Sequence, residues 1–294
     1  MILVTGGTGF VGQKIVHELR AREHDVRCLV RDRGRASKLA AWGCELVEGD
    51  VTDAASLRAA VRGCDVVIHL VAILTGSRQQ FERIMEQGTR DLVTAAKEEG
   101  VRRFVLMSAL GTSEETRDLV PYFHAKWEME QAVKASGIEH VVFRPSFVFG
   151  PDGGILATFK RLARLMPVTP IVGNGKQRIQ PIWGEDVAAY FAAAVDKPEA
   201  ANRTFELGGP DVVTWDELWT RLKRAMGVRR PSLHVPMGVM RVQATVLERL
   251  PNPPVTRDQL KMLEAGDNVV SSNDAVETFK LPLVPLDDQL RRAA

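Results

Sequence analysis

Three polar residues near the middle of the chain have the types and spacing of an acid–base site. Tyr122 and Lys126 lie four residues apart in a segment with helical periodicity, so both side chains project from one face. A neighbouring ammonium group favours a phenolate and lowers the pKa of tyrosine from about 10 towards neutrality. Ser108 ends a predicted strand, where its hydroxyl can donate to a carbonyl oxygen that gains charge. We predict proton transfer at a carbonyl or alcohol; the alternative is an ordinary helix-surface pair.

A glycine-rich turn at the start of the chain predicts a dinucleotide site. It follows an apolar segment typical of a strand and precedes a segment with helical periodicity. Three glycines in a Gly-x-x-Gly-x-x-Gly pattern permit a sharp turn, close approach to a pyrophosphate and tight helix packing. The free N–H groups at the helix N-terminus bind phosphates. We predict cofactor contacts from Gly6, Thr8, Gly9, Phe10, Val11 and Gly12.

The end of the second predicted strand indicates which nicotinamide cofactor is preferred. Arg31 lies nineteen residues past Gly12, close to the position where NAD-binding proteins hold the ribose diol with a carboxylate. A guanidinium there pairs with a 2′-phosphate, aided by Arg33. We therefore predict NADP(H). NAD(H) remains the alternative, because Asp32 is only one residue further along.

Residues 1–150 alternate near-continuous apolar strands with helices, which predicts an α/β fold. The arrangement expected is a Rossmann-like, doubly wound parallel sheet covered on both faces. The glycine turn, Ser108 and Pro145 then share the edge where the strands end. Residues 151–294 are richer in turns and predict a smaller C-terminal substrate lobe. A helix predicted near residues 186–195 returns residues 180–200 to the first domain.

The composition narrows the class of protein. The chain has 294 residues, 45% of them hydrophobic, and a formal net charge of +2. We expect a soluble globular protein with no nucleic-acid partner and no transmembrane segment. The three cysteines and six histidines lack metal-ligand spacing, so no metal site is predicted. Because the first strand follows no leader, we expect a cytoplasmic protein.

Several segments together resemble the short-chain dehydrogenase/reductase superfamily. These segments are Gly6–Gly12, Gly49-Asp50-Val51, His69-Leu70-Val71-Ala72, Ser108-Ala109-Leu110-Gly111, Tyr122-Phe123-His124-Ala125-Lys126 and Arg144-Pro145-Ser146. The layout is similar to the extended and atypical branches. Within these it is most similar to the group of the complex I accessory NADPH-binding subunit and its bacterial relatives.

The resemblance implies a role for each matching position. Tyr122 would donate or accept the proton, Lys126 would lower its pKa and hold the nicotinamide ribose, and Ser108 would orient the substrate carbonyl. The remaining positions would line the cofactor: Asp50 and Val51 at the adenine, Leu70, Val71 and Ala72 after the fourth strand, and Pro145 at the nicotinamide.

One position departs from the family's pattern. Active members have an asparagine three residues before a Gly-Thr pair, where it relays protons through water. Gly88 and Thr89 are present, but Met85 occupies the asparagine position, and a thioether cannot relay a proton. The bland interpretation of Met85 is packing on a helix face.

Three functions are consistent with these residues. The first is an NADP-dependent oxidoreductase acting on a carbonyl or alcohol through Tyr122, Lys126 and Ser108. The second is a non-catalytic NADPH-binding assembly or regulatory subunit in a larger complex, which Met85 favours. The third is a nucleotide-sugar epimerase or dehydratase, whose diphosphate would be held by Arg161, Arg164, Lys176 and Arg178.

The second half carries one further charged feature, a basic cluster that runs from Arg221 to Arg230. It could dock an acidic partner or lipid headgroups, but such runs are more often solvated helix faces. An amphipathic segment at residues 236–250 is interpreted as packing within the lobe, or as the lining of a hydrophobic substrate pocket.

Overall fold

The computed structural model describes residues 1–151, 153–248 and 255–294. The strands of these residues are β1 Ile2–Thr5, β2 Val26–Val30, β3 Glu45–Glu48, β4 Val66–His69, β5 Arg103–Met107, β6 Glu139–Pro145, β7 Val148–Gly150, β8 Thr169–Val172, β9 Arg178–Ile179, β10 Ile182–Trp183, β11 Arg203–Leu207, β12 Val213–Thr214 and β13 Ser232–Val235. The α-helices are α1 Phe10–Ala21, α2 Ser37–Ala41, α3 Ala54–Val61, α4 Arg78–Phe81, α5 Gly88–Glu98, α6 Pro121–Lys134, α7 Gly154–Leu165, α8 Gly184–Ala194, α9 Trp215–Ala225, α10 Met237–Leu247, α11 Arg257–Glu264, α12 Asp274–Phe279 and α13 Leu286–Ala293. Residue 152 of a predicted turn and the end of the 236–250 segment lie outside the described residues.

A parallel sheet confirms the predicted fold class. Seven strands of the described residues pair in the order β11-β6-β5-β4-β1-β2-β3, and every neighbouring pair is parallel. The strand order reverses between β1 and β4, which is the switch point where such sheets bind ligands. All residues of β1 and β4 are buried, as expected for strands covered on both faces.

The chain separates into two compact units. Unit 1 comprises Met1–Pro145, Gly184–Leu207 and Ser271–Pro282, and it contains the seven-stranded sheet. Unit 2 comprises Ser146–Trp183, Gly208–Val270 and Leu283–Ala294. The sequence predicted that only residues 180–200 rejoin the first domain, whereas unit 1 also includes Ser271–Pro282. That the second unit receives a substrate stays a prediction.

The helical segment from Arg78 to Glu98 is not a regular α-helix throughout. It begins at Arg78, where Ser77 and Gln80 form a capping box. Its centre is the π-helical segment Glu82–Gln87 rather than a regular α-helix. Insertions of this kind often occur at functional sites, and this one contains Met85.

Unit 2 is built from short two-stranded sheets and helices around an aromatic core. β7 pairs with β10, β9 with β12 and β8 with β13. The rings of Trp183, Trp215 and Trp219 are buried, together with Phe149 and Phe159 of the same cluster. These rings therefore serve packing within unit 2.

Candidate active site

The glycine turn joins β1 to α1 with little room for side chains. Gly6 has φ +79°, a conformation that other residues rarely adopt. A Cβ on Gly12 would lie 2.1 Å from the Gly6 carbonyl oxygen, so α1 packs directly on the turn. A Cβ on Gly9 would meet only that same oxygen, at 3.2 Å. Gly9 thus leaves open space in front of the helix N-terminus.

That N-terminus can bind an anion. Gly9 is the N-cap of α1, and no side chain of the described residues accepts its first N–H groups. Thr8 and Gly9 are exposed, whereas Val11 and Gly12 are buried, so the last two can reach a ligand through their backbone alone. The site fits a pyrophosphate through free N–H groups and the positive end of the helix dipole.

The charged side chains that follow β2 differ in whether they have hydrogen-bond or ion-pair partners. Arg31 is exposed, and no hydrogen bond or ion pair engages it within the described part of the chain. The Asp32 carboxylate accepts from the Gly34 N–H at 2.8 Å and lies 3.5 Å from the Arg35 guanidinium. Arg33 donates to the Leu46 carbonyl. Of Arg31 and Asp32, only Arg31 has a side chain that is free, among the described residues, to bind a ligand.

The other predicted cofactor positions follow the ends of neighbouring strands. Asp50 follows β3, and its carboxylate accepts from the Thr52 N–H and hydroxyl at 2.9 and 2.8 Å. Val51 is buried. A Cβ on Gly6 would lie 3.2 Å from the Leu70 carbonyl carbon and the Val71 nitrogen. These two residues, followed by Ala72, therefore adjoin the turn.

Tyr122 and Lys126 lie on α6 as neighbours. The Lys126 Nζ is 5.8 Å from the centre of the Tyr122 ring and donates to the Met107 carbonyl at 2.6 Å. Burial lowers the pKa of Lys126 to about 7, opposed by the Glu130 carboxylate. Burial raises the pKa of Tyr122. The expected lowering of the tyrosine pKa by Lys126 is therefore absent, because desolvation of the phenolate dominates.

Ser108 follows β5 and is buried. Its hydroxyl has no hydrogen-bond partner among the described residues, and it lies near the Glu130 carboxylate. Burial opposes ionisation of Glu130, but Arg144 and Lys134 outweigh it and lower the pKa of that carboxyl. Two bonds of 2.8 and 2.7 Å join Arg144 to Glu130. The role predicted for Ser108 stays a prediction.

Pro145 ends β6 at the same edge of the sheet. Its carbonyl accepts from the Leu110 N–H at 3.0 Å, and this bond holds the segment after β5 against the end of β6. The proline ring is partly exposed, so it is available to a nicotinamide. That contact stays a prediction.

A buried polar chain beneath the glycine turn was missed by sequence reasoning. The Thr5 Oγ1 and His69 Nδ1 are 2.6 Å apart, and the His69 Nε2 is 3.0 Å from the Thr89 Oγ1. Thr89 donates in turn to the Met85 carbonyl at 2.5 Å. Burial, and then the charge of Lys126, lowers the pKa of His69 to about 3. Thr5 and His69 are register partners on β1 and β4, a relation that only strand pairing reveals.

The described residues provide neither a metal-binding cluster nor a helix that could cross a membrane. Residues 1–151, 153–248 and 255–294 hold no cluster of His, Cys, Asp or Glu that could bind a metal. Within those ranges no helix has the length and apolar character needed to cross a membrane.

A Rossmann-type sheet with a glycine turn at its switch point defines a dinucleotide-binding protein. A family model described as NAD(P)H-binding matches residues 6–198. The chain belongs to this family and, as its motifs predicted, to the atypical branch of the short-chain dehydrogenase/reductase superfamily. The predicted nicotinamide cofactor is confirmed at the level of NAD(P)H.

Individual relatives differ in what their names describe. An NAD(P)H azoreductase of Xenophilus azovorans is 30% identical over 80% of this chain and 76% of its own. Mitochondrial NADH dehydrogenase (ubiquinone) 1 alpha subcomplex subunit 9 of Arabidopsis thaliana is 29% identical over 96% of this chain and 73% of its own. A structure of an Escherichia coli NADPH-dependent quinone oxidoreductase superposes with a TM-score of 0.80 at 20% identity, covering 99% of this chain and 98% of that one. The last likeness concerns the fold.

Proposed function

We propose that this protein is an NADPH-dependent reductase of a carbonyl compound, with quinones included in that class. The observation that carries the proposal is Arg31, which stands unpaired among the described residues after β2 while Asp32 is bound to its own turn. A free guanidinium at that position binds a 2′-phosphate. When bound, the cofactor supplies the hydride.

The chain's own residues hold the cofactor and supply the proton. Arg31 and the N–H groups of α1 bind the phosphates, and Lys126 holds the nicotinamide ribose. The raised pKa of Tyr122 keeps its phenol protonated at neutral pH, which suits a proton donor in reduction better than a base in oxidation. Ser108, whose buried hydroxyl has no partner among the described residues, would orient the carbonyl.

Cofactor choice is tested by the dissociation constants of NADPH and NADH. We expect the wild type to prefer NADPH, and Arg31→Asp to weaken NADPH binding about tenfold or more while sparing NADH. Arg58→Asp is the matched control, because Arg58 is exposed on α3 and should change neither constant. Equal or tighter NADH binding by the wild type contradicts the proposal.

Turnover is tested with a panel of quinone, azo and simple carbonyl substrates. We expect NADPH oxidation with at least one of them, and Tyr122→Phe should lower kcat about 100-fold or more while leaving NADPH affinity unchanged. Tyr190→Phe, the change of the chain's other tyrosine, should retain full activity. A Tyr122→Phe enzyme as fast as the wild type excludes tyrosine as the donor.

A non-catalytic NADPH-binding assembly or regulatory subunit is the second candidate. The observation that favours it is Met85, which is fully buried where the family's proton relay would stand. The relatives named as a respiratory-complex subunit agree with such a role. Tight NADPH binding with no turnover on the panel would favour this candidate. The epimerase alternative is weaker, because Arg178 is paired with Asp267 at 2.7 Å and Arg164 donates to the Ala294 oxygen.

A further inference from the structure

The small net charge of the chain conceals a strong separation of charge. Unit 2 has 16 Lys and Arg against 10 Asp and Glu, and unit 1 has 23 against 27. Their formal charges are therefore +6 and −4. Within unit 2, residues 153–183 and 218–247 contain no acidic residue but five and six basic ones. A positive potential of this kind attracts anionic partners.

The same two stretches carry exposed aliphatic side chains. Leu165 and Met166, at the end of α7, are 70% and 42% exposed, and Leu233 on β13 is 59% exposed. Val239 and Val242, three residues apart on α10, are 47% and 67% exposed. Residues three apart share a helix face, so α10 presents an apolar face to solvent. A single exposed side chain of this size is common on protein surfaces, but Leu165, Met166 and Leu233 belong to segments that also carry unpaired arginines.

Hydrogen bonds join the end of α7 to the loop after α9. Arg230 donates to the Met166 carbonyl, and Thr169 N–H donates to the Pro231 carbonyl at 2.9 Å. Leu233 is the register partner of Pro170. We call the resulting surface the basic tip, and its exposed members are Arg161, Arg164, Leu165, Met166, Arg224, Arg229 and Leu233.

Three of the four arginines of the basic tip are available to a partner; the fourth, Arg164, donates to the Ala294 oxygen. Arg161, Arg224 and Arg229 are exposed and have no ion pair or side-chain hydrogen bond within the described residues. Arg221, by contrast, is paired with Asp211 and Asp287 at 3.4 and 3.5 Å. Arg161 lies four residues before Leu165 on α7, and Arg229 precedes Arg230, which donates to the Met166 carbonyl. Arg221, being paired, belongs to unit 2's own structure.

We propose that the basic tip docks on the surface of a membrane containing anionic lipids. Guanidinium groups bind the phosphates of the headgroups, and the aliphatic side chains of Leu165, Met166 and Leu233 enter the boundary between headgroups and acyl chains. A nucleic acid fits less well, because the tryptophan and phenylalanine rings of the unit 2 cluster are buried and cannot stack on bases. An acidic protein would pair with the arginines, but free arginines together with exposed aliphatic side chains fit the boundary between headgroups and acyl chains better.

Vesicle flotation of the full chain tests the proposal. The protein should bind vesicles of phosphatidylcholine mixed with phosphatidylglycerol, not phosphatidylcholine alone, and binding should weaken with added salt. Arg224→Glu with Arg229→Glu, and separately Leu165→Ser with Met166→Ser, should each lower partitioning about tenfold or more. Retained unfolding temperatures show that the variants fold.

Matched controls lie in unit 1. Leu74 is 68% exposed, so Leu74→Ser removes as much exposed apolar surface as Leu165→Ser, and Arg58→Glu reverses one exposed charge. Neither control should change partitioning. Absence of binding to the anionic vesicles overturns the proposal. The proposal is also overturned if the arginine variant loses vesicle binding while the Leu165 and Met166 variant keeps it. That result would indicate a purely electrostatic surface that suits an acidic macromolecule.

Discussion

Unit 1 and unit 2 hold their functional features in different places. In unit 1 several of them are buried at one edge of a parallel sheet, where backbone geometry and buried hydrogen bonds position Gly12, His69 and Lys126, whereas Arg31 is exposed. In unit 2 the candidate feature is a surface, the basic tip, made of exposed arginine and aliphatic side chains. The difference implies that single conservative changes should act strongly in unit 1, whereas in unit 2 several exposed residues must change together.

The largest expected effect concerns the buried ion pair of unit 1. Arg144→Met leaves the Glu130 carboxylate, which is 0% exposed, without its bidentate partner, so we expect a loss of about 3–5 kcal/mol in the free energy of unfolding. Chemical denaturation measures it. Arg257→Met in unit 2 removes an exposed partner of Glu248 and should change stability by about 1 kcal/mol or less. Equal losses of stability in the two variants would contradict the expected difference between unit 1 and unit 2.

The second effect concerns the tightest glycine. A methyl group on Gly12 would lie 2.1 Å from the Gly6 oxygen and 2.9 Å from the Gly7 Cα, so Gly12→Ala must push α1 away from the turn. We expect NADPH affinity to fall about 100-fold, roughly 2.8 kcal/mol, as measured by fluorescence titration. Unchanged affinity would mean that the phosphates do not bind at the N-terminus of α1.

These contrasts also explain what the sequence could predict. The glycine turn was predictable because Gly6 and Gly12 meet local requirements of the backbone, and the parallel sheet was predictable because its strands are continuous apolar runs. Arg31 could be placed after β2 by counting from Gly12. Each of these features depends on residues close together in the chain.

Other features depend on contacts between distant residues and left no local signal. Thr5 and His69 meet only because β1 pairs with β4 in one register. Ser108 was correctly expected at the end of a strand, but its environment depends on Glu130, a residue on α6. The return of residues 271–282 to unit 1 had no recognised motif.

The third prediction uses the buried histidine of unit 1. The pKa of His69 is about 3 in the folded protein and about 6.5 in an unfolded chain, so only the unfolded state gains its proton as the pH falls between those values. Stability attributable to His69 is complete above pH 6.5 and should decrease by about 2 kcal/mol by pH 5. His69→Gln should flatten this dependence, whereas His234→Gln, exposed in unit 2, should not. An NMR titration that shows His69 protonated near pH 6 would contradict the assignment.

The smallest effect concerns a glycine-to-alanine substitution in unit 2. The same type of substitution at Gly12 should weaken NADPH binding by unit 1. Gly238 is the second residue of α10, has no positive φ, and a Cβ there would meet nothing within 4 Å among the described residues. Alanine restricts the unfolded chain more than glycine does and favours the helix, so Gly238→Ala should raise the free energy of unfolding by about 0.5 kcal/mol. Its NADPH affinity should equal that of the wild type. A loss of stability would show that α10 is closely packed at this position, and its exposed valines could then not form a free surface.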